Sequence, residues 1–216
     1  MLNRLYYKYK QYGLWMFMLR TFKSIIRPLL FWESYCYCSL DLSKNEIEKL
    51  IANNKVFKGL NVKELTIDDF FTGDKEEFTS NKIECLRKRF KNDGFKAYGV
   101  MKNSKLVYSC WLSTKQFEMS EHYLNRALSN DEVLFLDDFM TPHMRGCGIH
   151  TAMNIFRLQK SIELGKKKAI VIILKENKPA LKSQLKVGFN IDFIFITFKC
   201  FNATWSNFND KYQKRL

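Results

Sequence analysis

The segment Arg145-Gly146-Cys147-Gly148-Ile149-His150 has the residue types and the surroundings of an anion-binding turn. It follows the apolar run 133–136 and precedes a helical pattern that begins near Ile149. A strand, a short turn and a helix N-terminus bring free backbone N–H groups and the positive end of the helix dipole together. Two glycines let the main chain approach a ligand without interference from a Cβ atom. The sequence therefore predicts a site for a phosphate or a pyrophosphate.

Two adjacent carboxylates, Asp137 and Asp138, belong to the strand that leads into this turn. Neighbouring residues of a strand face opposite sides of a sheet, so one of them can face a substrate while the other finds a hydrogen bond. A carboxylate placed there can act as a general base, directly or through water. Glu132 and His122 are alternative bases, and purely local hydrogen bonding by the two acids is an equally weighted interpretation.

The elements that must position these residues follow from periodicity and breakers. Capping and spacing indicate helices, and alternating or continuous apolar runs indicate strands. The predicted strands are 32–42, 62–67, 95–101, 106–112, 133–140, 169–174 and 191–201. The predicted helices are 1–30, ended at Pro28, then 44–53 with a Ser43/Glu46 capping box, 74–91, 149–164 and 178–186.

The order of these elements indicates an α/β protein with a mixed sheet. Residues 102–105 join two strands in a hairpin, and a helix joins the strand before the turn to the strand that starts at Ala169. Those two strands should be parallel, with a right-handed crossover. Residues 116–130 are interpreted as a polar, partly helical connection, and residues 202–216 as a polar tail with a basic end.

Composition fits one domain with an extension. The chain has 216 residues, of which 46% are hydrophobic, so a sizeable core is expected. Residues 1–59 are predicted to be a basic N-terminal extension packed on a domain formed by residues 60–216. The six cysteines form no CxxC pair and have too few histidine partners for a zinc site, which indicates a reducing, cytoplasmic setting and no metal.

The formal net charge of +14 indicates an anionic partner. Residues 1–30 carry basic side chains and no acid, around the apolar run 14–19. That run is shorter than the roughly 20 residues of a membrane span, and no signal-peptide cleavage site follows it. Residues 1–30 either lie at an anionic membrane surface or pack their apolar side on the domain. Nucleic acid is not expected, since no recognition motif is present.

The turn resembles the acyl-CoA loop of the GCN5-related N-acetyltransferases (GNATs), whose pattern is [R/Q]xxGx[G/A]. Pro142 stands three residues before Arg145, as in the family's V-x-P-x-x-R-G run, with Met140 at the valine position.

A second segment strengthens the resemblance. Asn177, Ala180, Gly188 and Phe189 match the family's N-x-x-A-x(7)-G-F spacing. Each motif alone is weak, but two in the right order and separation are fairly specific. The resemblance covers roughly residues 60–201.

The resemblance implies a mixed, mostly antiparallel central sheet with a parallel splayed strand pair and helices on both faces. It implies an acyl-CoA, with acetyl-CoA expected, as co-substrate. The pantetheine arm would pair with the backbone of the strand end, and the pyrophosphate with the amides of the turn. The implied cofactor-binding residues are Phe139, Met140, Thr141, Arg145, Gly146, Cys147, Gly148, Ile149, His150, Asn177 and Lys182. The implied catalytic residues are Asp137 and Asp138.

Two positions depart from the family pattern. His150 replaces the last glycine or alanine of the loop, and is interpreted either as a partly exposed helix residue or as a catalytic or phosphate-binding one. Gln184 occupies the position where many members carry the tyrosine that protonates the leaving thiolate, so another group or water must supply that proton. Cys147 is interpreted as a filler residue, because the family transfers acyl groups directly.

These observations favour an N-acyltransferase acting on a primary amine, for example an amino sugar in surface-polysaccharide synthesis. The protein is expected to be cytoplasmic, peripheral at the inner membrane face if residues 1–30 bind lipid, and a monomer or homodimer. The alternative is a non-catalytic protein of the acyl-CoA fold that docks on anionic membrane or nucleic acid.

Overall fold

The computed structural model describes residues 30–119, 124–201 and 203–213. The described residues between 35 and 194 form one compact unit, and residues 30–34 with those from 195 to 213 form another. The predicted helix over residues 1–30 and its membrane contact lie outside the described residues. The predicted domain boundary at residue 59 stays a prediction.

Ten strands are described. They are β1 (Leu30–Asp41), β2 (Val62–Glu64), β3 (Phe95–Lys102), β4 (Lys105–Ser113), β5 (Gln116–Met119), β6 (Leu124–Ala127), β7 (Glu132–Met140), β8 (Lys168–Leu174), β9 (Asn190–Cys200) and β10 (Ala203–Ser206). In the larger unit the sheet order is β9-β1-β8-β7-β4-β3-β2. The β7–β8 pair is parallel, whereas β1–β8, β2–β3, β3–β4 and β4–β7 are antiparallel. In the smaller unit β10 pairs antiparallel with the end of β9.

Helices cover both faces of the sheet in the larger unit. The described helices are α1 (Lys44–Asn53), α2 (Lys55–Lys58), α3 (Ile67–Phe71), α4 (Ser80–Phe90), α5 (Ile149–Glu163), α6 (Lys178–Lys186) and α7 (Phe208–Gln213). Helices α1, α2 and α6 pack against α5, and α3 packs against α4. Two apolar clusters result, and β4 contributes Cys110 to the α5 side and Trp111 to the α4 side. The predicted fold class is confirmed. None of the helices in the described part has the length and apolar character needed to cross a membrane.

Two predicted elements are longer than the observed ones. The strand predicted over 62–67 ends at Glu64, because Thr66 becomes the N-cap of α3 in a capping box with Asp69. The helix predicted over 74–91 begins at Ser80, where the Thr79 side chain accepts a hydrogen bond from the Lys82 backbone N–H. Local capping decides both ends. Similarly, α1 starts at the predicted place, but Ser43 makes no side-chain capping bond.

The connection predicted as partly helical is instead the hairpin β5–β6. Its strands are anchored by tertiary contact, since buried Phe117 stacks on Tyr37 with ring centroids 6.4 Å apart. The segment interpreted as a polar tail, for which no helix or strand was predicted, contains β10 and α7, held by Phe208, which packs edge-on against Phe195 at 5.0 Å. Both differences come from long-range packing that local periodicity does not report.

Candidate active site

The strand β7 contains a β-bulge at the two adjacent acids. Ser109 pairs with Phe139 and Trp111 pairs with Leu136, so Asp137 and Asp138 together lie opposite one residue of β4. Asp137 has a φ of 54°, a left-handed conformation that is uncommon outside glycine. A bulge bends its strand and redirects the side chains next to it.

Just before the bulge, after Phe135, β7 parts from its parallel neighbour. The two strands pair only over Glu132–Phe135 and Lys168–Val171, although β7 continues to Met140 and β8 to Leu174. Asp138 is an exposed residue even though its side chain is only 22% exposed, so much of the accessible surface belongs to its main chain. An opening between two parallel strands with accessible backbone can accept an extended ligand that carries amide groups.

The predicted turn lies directly after this opening. Thr141 N–H donates to the Val107 carbonyl at 2.9 Å, a 3-10 turn spans Pro142–Met144, and α5 begins at Ile149. Gly146 and Gly148 have φ values of 82° and 78°. A Cβ atom on Gly146 would have nothing within 4 Å, so that side of the turn is open. The turn therefore presents exposed amides at the N-terminus of a 15-residue helix.

Asp137 faces α4. Its carboxylate accepts hydrogen bonds from Lys82 Nζ at 2.7 and 2.8 Å and from Arg89, whose guanidinium lies 5.4 Å from the centre of the Trp111 ring. Burial raises the pKa of Asp137, but the charges and hydrogen bonds of the two cations outweigh it and lower the pKa below its ordinary value. A carboxylate held in this way is a weak proton acceptor and a strong link between α4 and β7.

Asp138 faces α5. Arg157, which is fully buried, places Nη1 2.7 Å from Oδ1 and Nη2 2.8 Å from Oδ2, and His150 Nε2 lies 3.0 Å from Oδ2. Burial raises the pKa of Asp138, but the Arg157 charge and the His150 hydrogen bond reverse the shift, so the pKa is lowered. The two acids therefore contact opposite helices, with a cation against each.

A buried polar network continues from Arg157 to α6. Arg157 donates to Asn154 Oδ1, which also accepts from Gln184 Nε2 at 3.2 Å, while Asn154 Nδ2 donates to Ser183 Oγ at 3.3 Å. Gln184 is only 2% exposed. In many GNATs this position carries a tyrosine that acts as a general acid. Here Gln184 instead links α6 to α5 through its hydrogen bond with Asn154.

Two buried hydroxyls at the end of β7 lack a hydrogen-bond partner among the described residues. They are Tyr108 OH and Thr141 Oγ1. Tyr108 pairs with Met140 across the sheet, and its ring centre is 6.0 Å from that of His150. Burial raises the pKa of Tyr108 well above its usual value, so it remains protonated. Buried polar groups are usually satisfied, so unsatisfied hydroxyls beside the open turn are compatible with a polar ligand there.

Comparison with known proteins identifies the fold that carries this site. No protein-family model matches the sequence, and no curated protein matches it. Among solved structures, an acetyltransferase of the GNAT family from Colwellia psychrerythraea is 12% identical, with a TM-score of 0.55, and the match covers 79% of this chain and 57% of that one. This chain has the GNAT fold.

Two further solved structures resemble it. A conserved protein of unknown function from Staphylococcus epidermidis is 7% identical, with a TM-score of 0.56, covering 84% of this chain and 67% of that one. A Drosophila protein is 10% identical, with a TM-score of 0.54, covering 87% and 58%. At such identities the likeness establishes the GNAT fold and nothing about substrates.

Within the GNAT fold the predicted site residues occupy several places. Residues 145–148 form the turn and residues 149–150 begin α5, while residues 139–141 lead into the turn, with Phe139 packed edge-on against Phe78 at 4.8 Å. Ile149 is buried in the core, so only its backbone can face a ligand. Asn177 is the N-cap of α6 and accepts from Ala180 N–H at 3.4 Å. Lys182 is exposed on α6, and His122 lies outside the described residues. The described residues contain no metal-binding cluster of three or more His, Cys, Asp or Glu side chains.

Sequence reasoning missed the cations that hold the two acids. Arg157 continues the four-residue spacing of Ile149 and Met153, which are both buried, so helical spacing placed it on the inner face of α5. Lys82 and Arg89 lie two helical turns apart on α4 and flank the buried part of that helix. An arginine at a position that helical spacing places in the core indicates a buried partner of opposite charge.

Proposed function

We propose that this protein is an N-acyltransferase that moves an acyl group, with acetyl as the expected one, from coenzyme A to a primary amine. The observation that carries the proposal is the open glycine turn at the start of α5, directly after β7 parts from β8. The turn offers amides for a pyrophosphate, and the exposed backbone around the bulge offers partners for an amide-bearing arm.

The residues present fit an acyl-CoA. The amides of residues 145–150 would hold the pyrophosphate, and the backbone of residues 139–141 would pair with the pantetheine arm. Arg145 and Lys182 would supply positive charge for the remaining phosphate groups. Bound acyl-CoA supplies an activated thioester. The chain supplies position, a positive field and a proton acceptor for the amine.

The acceptor is proposed to be an amine that also carries phosphate, such as a nucleotide-linked amino sugar. The net charge of +14 gives an attractive field for such a molecule. We propose the chemical class from this charge, and a role in surface-polysaccharide synthesis from the family resemblance.

Two measurements test this proposal. Acetyl-CoA at 100 times its Kd is expected to stabilise the protein by roughly 2.7 kcal/mol, which raises the melting temperature. Release of the CoA thiol in the presence of primary amines is expected for the wild type and is expected to be lost in Arg145→Glu. Arg87→Glu, at an exposed position of α4, is the charge-matched control and should retain both properties. A wild type that neither binds acetyl-CoA nor releases thiol contradicts the proposal.

A membrane-docking role is a second proposal, and one observation favours it. In the smaller unit, Phe198, Phe201 and Trp205 expose 39%, 66% and 55% of their surfaces. Exposed aromatic side chains, and the basic side chains within residues 1–30, are of the types that bind an anionic lipid surface. Salt-dependent sedimentation with phosphatidylglycerol vesicles, reduced by Trp205→Ser, is the expected result, and it is compatible with catalysis.

A further inference from the structure

A histidine stands directly after the turn, where the resemblance leads one to expect a glycine or an alanine. His150 is the second residue of α5, so its backbone N–H is one of the helix-end amides that an anion can contact. Side chains of a helix tilt toward its N-terminus, so the imidazole projects back toward the turn. The side chain is 24% exposed, and its Nε2 lies 3.0 Å from Asp138 Oδ2. The imidazole is therefore accessible on the side of the proposed pyrophosphate site and tied to β7.

The contact with Asp138 determines what the other ring nitrogen can offer a ligand. An ionised carboxylate only accepts hydrogen bonds, so in the neutral imidazole Nε2 carries the hydrogen and Nδ1 presents a lone pair. Nδ1 forms no hydrogen bond with another described residue. Phosphate oxygens are also acceptors, so a neutral His150 gives them no hydrogen bond. A protonated His150 gives them an N–H donor together with a positive charge.

Asp138 holds the imidazole in this position and is itself held from behind. Buried Arg157 contacts both carboxylate oxygens at 2.7 and 2.8 Å, which keeps the carboxylate ionised and fixes its orientation. The titratable and charged groups that face His150 in the described structure are Asp138 from β7, Tyr108 from β4 and, behind Asp138, Arg157 from α5 itself. Tyr108 is protonated and neutral, so Asp138 is the charge in direct contact with the ring.

Two buried hydroxyl groups near the imidazole provide a second, independent indication of a polar ligand. Tyr108 OH and Thr141 Oγ1 have no hydrogen-bond partner among the described residues, although these residues are only 1% and 7% exposed. The ring centre of Tyr108 is 6.0 Å from that of His150, and Thr141 immediately precedes the 3-10 turn. Buried hydroxyl groups normally have a partner, so these two indicate that a polar group from outside the described chain completes this place.

We propose that protonated His150 binds the pyrophosphate of acyl-CoA, with Nε2–H donated to Asp138 and Nδ1–H to a phosphate oxygen, and that cofactor binding therefore takes up a proton. This inference rests on the proposed function. In the complex the imidazolium lies between two anions, whereas in the free protein it contacts one, so the complex holds the proton more tightly. By reciprocity, the proton strengthens cofactor binding by the same factor. Since histidine changes charge between pH 5 and 8, the affinity for acyl-CoA rises as the pH falls through this range.

Isothermal titration calorimetry of the full chain tests this inference without an acceptor. It measures the Kd of acetyl-CoA and of 3′-dephospho-CoA from pH 5.5 to 8, and the proton uptake at pH 7 from buffers that differ in ionisation enthalpy. The second probe is needed because the 3′-phosphate monoester of acetyl-CoA itself titrates near pH 6. The wild type should bind 3′-dephospho-CoA about 10-fold more tightly at pH 5.5 than at pH 8 and should take up a proton. His150→Gln should lose both effects while its Kd at pH 8 stays close to that of the wild type.

Two further variants separate the charge of His150 from its structural role. His150→Lys carries a permanent cation, so at pH 8 it should bind 3′-dephospho-CoA more tightly than His150→Gln does, with little dependence on pH. His143→Gln is the matched change at an exposed position of the 3-10 turn and should keep the wild-type pH dependence. Wild-type pH dependence and proton uptake in His150→Gln, or their absence when the wild type binds 3′-dephospho-CoA, overturns the inference and leaves the proposed function standing. A wild type that binds neither probe at any pH overturns the proposed function itself.

Discussion

Removal of the buried guanidinium of Arg157 should reveal how strongly the site depends on its internal charge pair. Arg157 is fully buried and contacts both oxygens of Asp138, whose side chain is 22% exposed. In Arg157→Met the carboxylate loses its cation and keeps only His150. Breaking one partner of a buried ion pair costs about 3–5 kcal/mol, and the partial exposure of Asp138 places the expected loss near the lower value.

Substitution of the other partner of the ion pair, and of both partners together, completes the measurement. Asp138→Asn leaves the Arg157 charge buried without a counter-ion, so it should also destabilise by about 3–5 kcal/mol. The double variant removes both charges, and the methionine can pack on Phe135, whose ring centre lies 4.5 Å from the Arg157 guanidinium carbon. Its loss should be smaller than the sum of the single losses by roughly 2–3 kcal/mol, the coupling energy of residues in contact.

Urea unfolding followed by far-ultraviolet circular dichroism at pH 7 measures these free energies. The matched control is the exposed pair Lys160–Glu163 on the same helix, 2.6 Å apart with side chains 34% and 45% exposed. Its cycle of Lys160→Met and Glu163→Gln should give a coupling of only about 0.3–0.5 kcal/mol. An Asp138–Arg157 coupling no larger than that of the control would refute the reasoning that burial makes this pair strong.

Two other substitutions test the bulge and the turn. Asp137→Asn should lower the free energy of unfolding at pH 7 by about 1–3 kcal/mol, because it removes the charged acceptor for Lys82. Because the pKa of Asp137 is lowered in the folded protein, its stabilisation is complete above the unfolded value of about 3.9 and is lost as the pH falls through the folded value. Urea titrations from pH 7 to 2.5 should show the difference between variant and wild type shrinking below pH 4, and a constant difference would contradict this account. Gly148→Ala should cost more than the roughly 1–2 kcal/mol of a left-handed alanine, because its Cβ would lie 3.2 Å from Val56. Gly165→Ala, with a φ of 70° and open space, should cost only the conformational part, and equal losses would exclude the Val56 contact.

Local patterns were sufficient for the elements that build the cofactor turn. The strand β7, the helix α5 and the helix α6 follow from apolar periodicity and breakers, and α6 has the predicted bounds, 178–186. The hairpin at residues 102–105 was also predicted, and its central residues Asn103 and Ser104 have positive φ values of 49° and 58°. The turn itself was visible because its glycines stand between a strand and a helix.

The ion pairs of the site could not be predicted from local sequence patterns. The partner of Asp137 on α4 is 55 positions away at Lys82, and the partner of Asp138 on α5 is 19 positions away at Arg157. Which cation reaches which acid depends on strand order and on the register between β4 and β7, and one residue of register reverses the face of every side chain. The alternation rule correctly predicted that the two acids face opposite sides, but it did not predict the bulge that opens the backbone beside them.

Ion pairing explains how a strand that leads to an anion site can carry two acids. Uncompensated carboxylates at this place would repel a pyrophosphate, and in a partly buried site such a charge acts over several ångströms. Lys82 and Arg89 face Asp137, and Arg157 faces Asp138, so three cations surround two carboxylates before the turn is reached. The local charge of the strand end is therefore positive. Asp138 can serve His150 as a hydrogen-bond acceptor without weakening the field that an anionic ligand would meet at the turn.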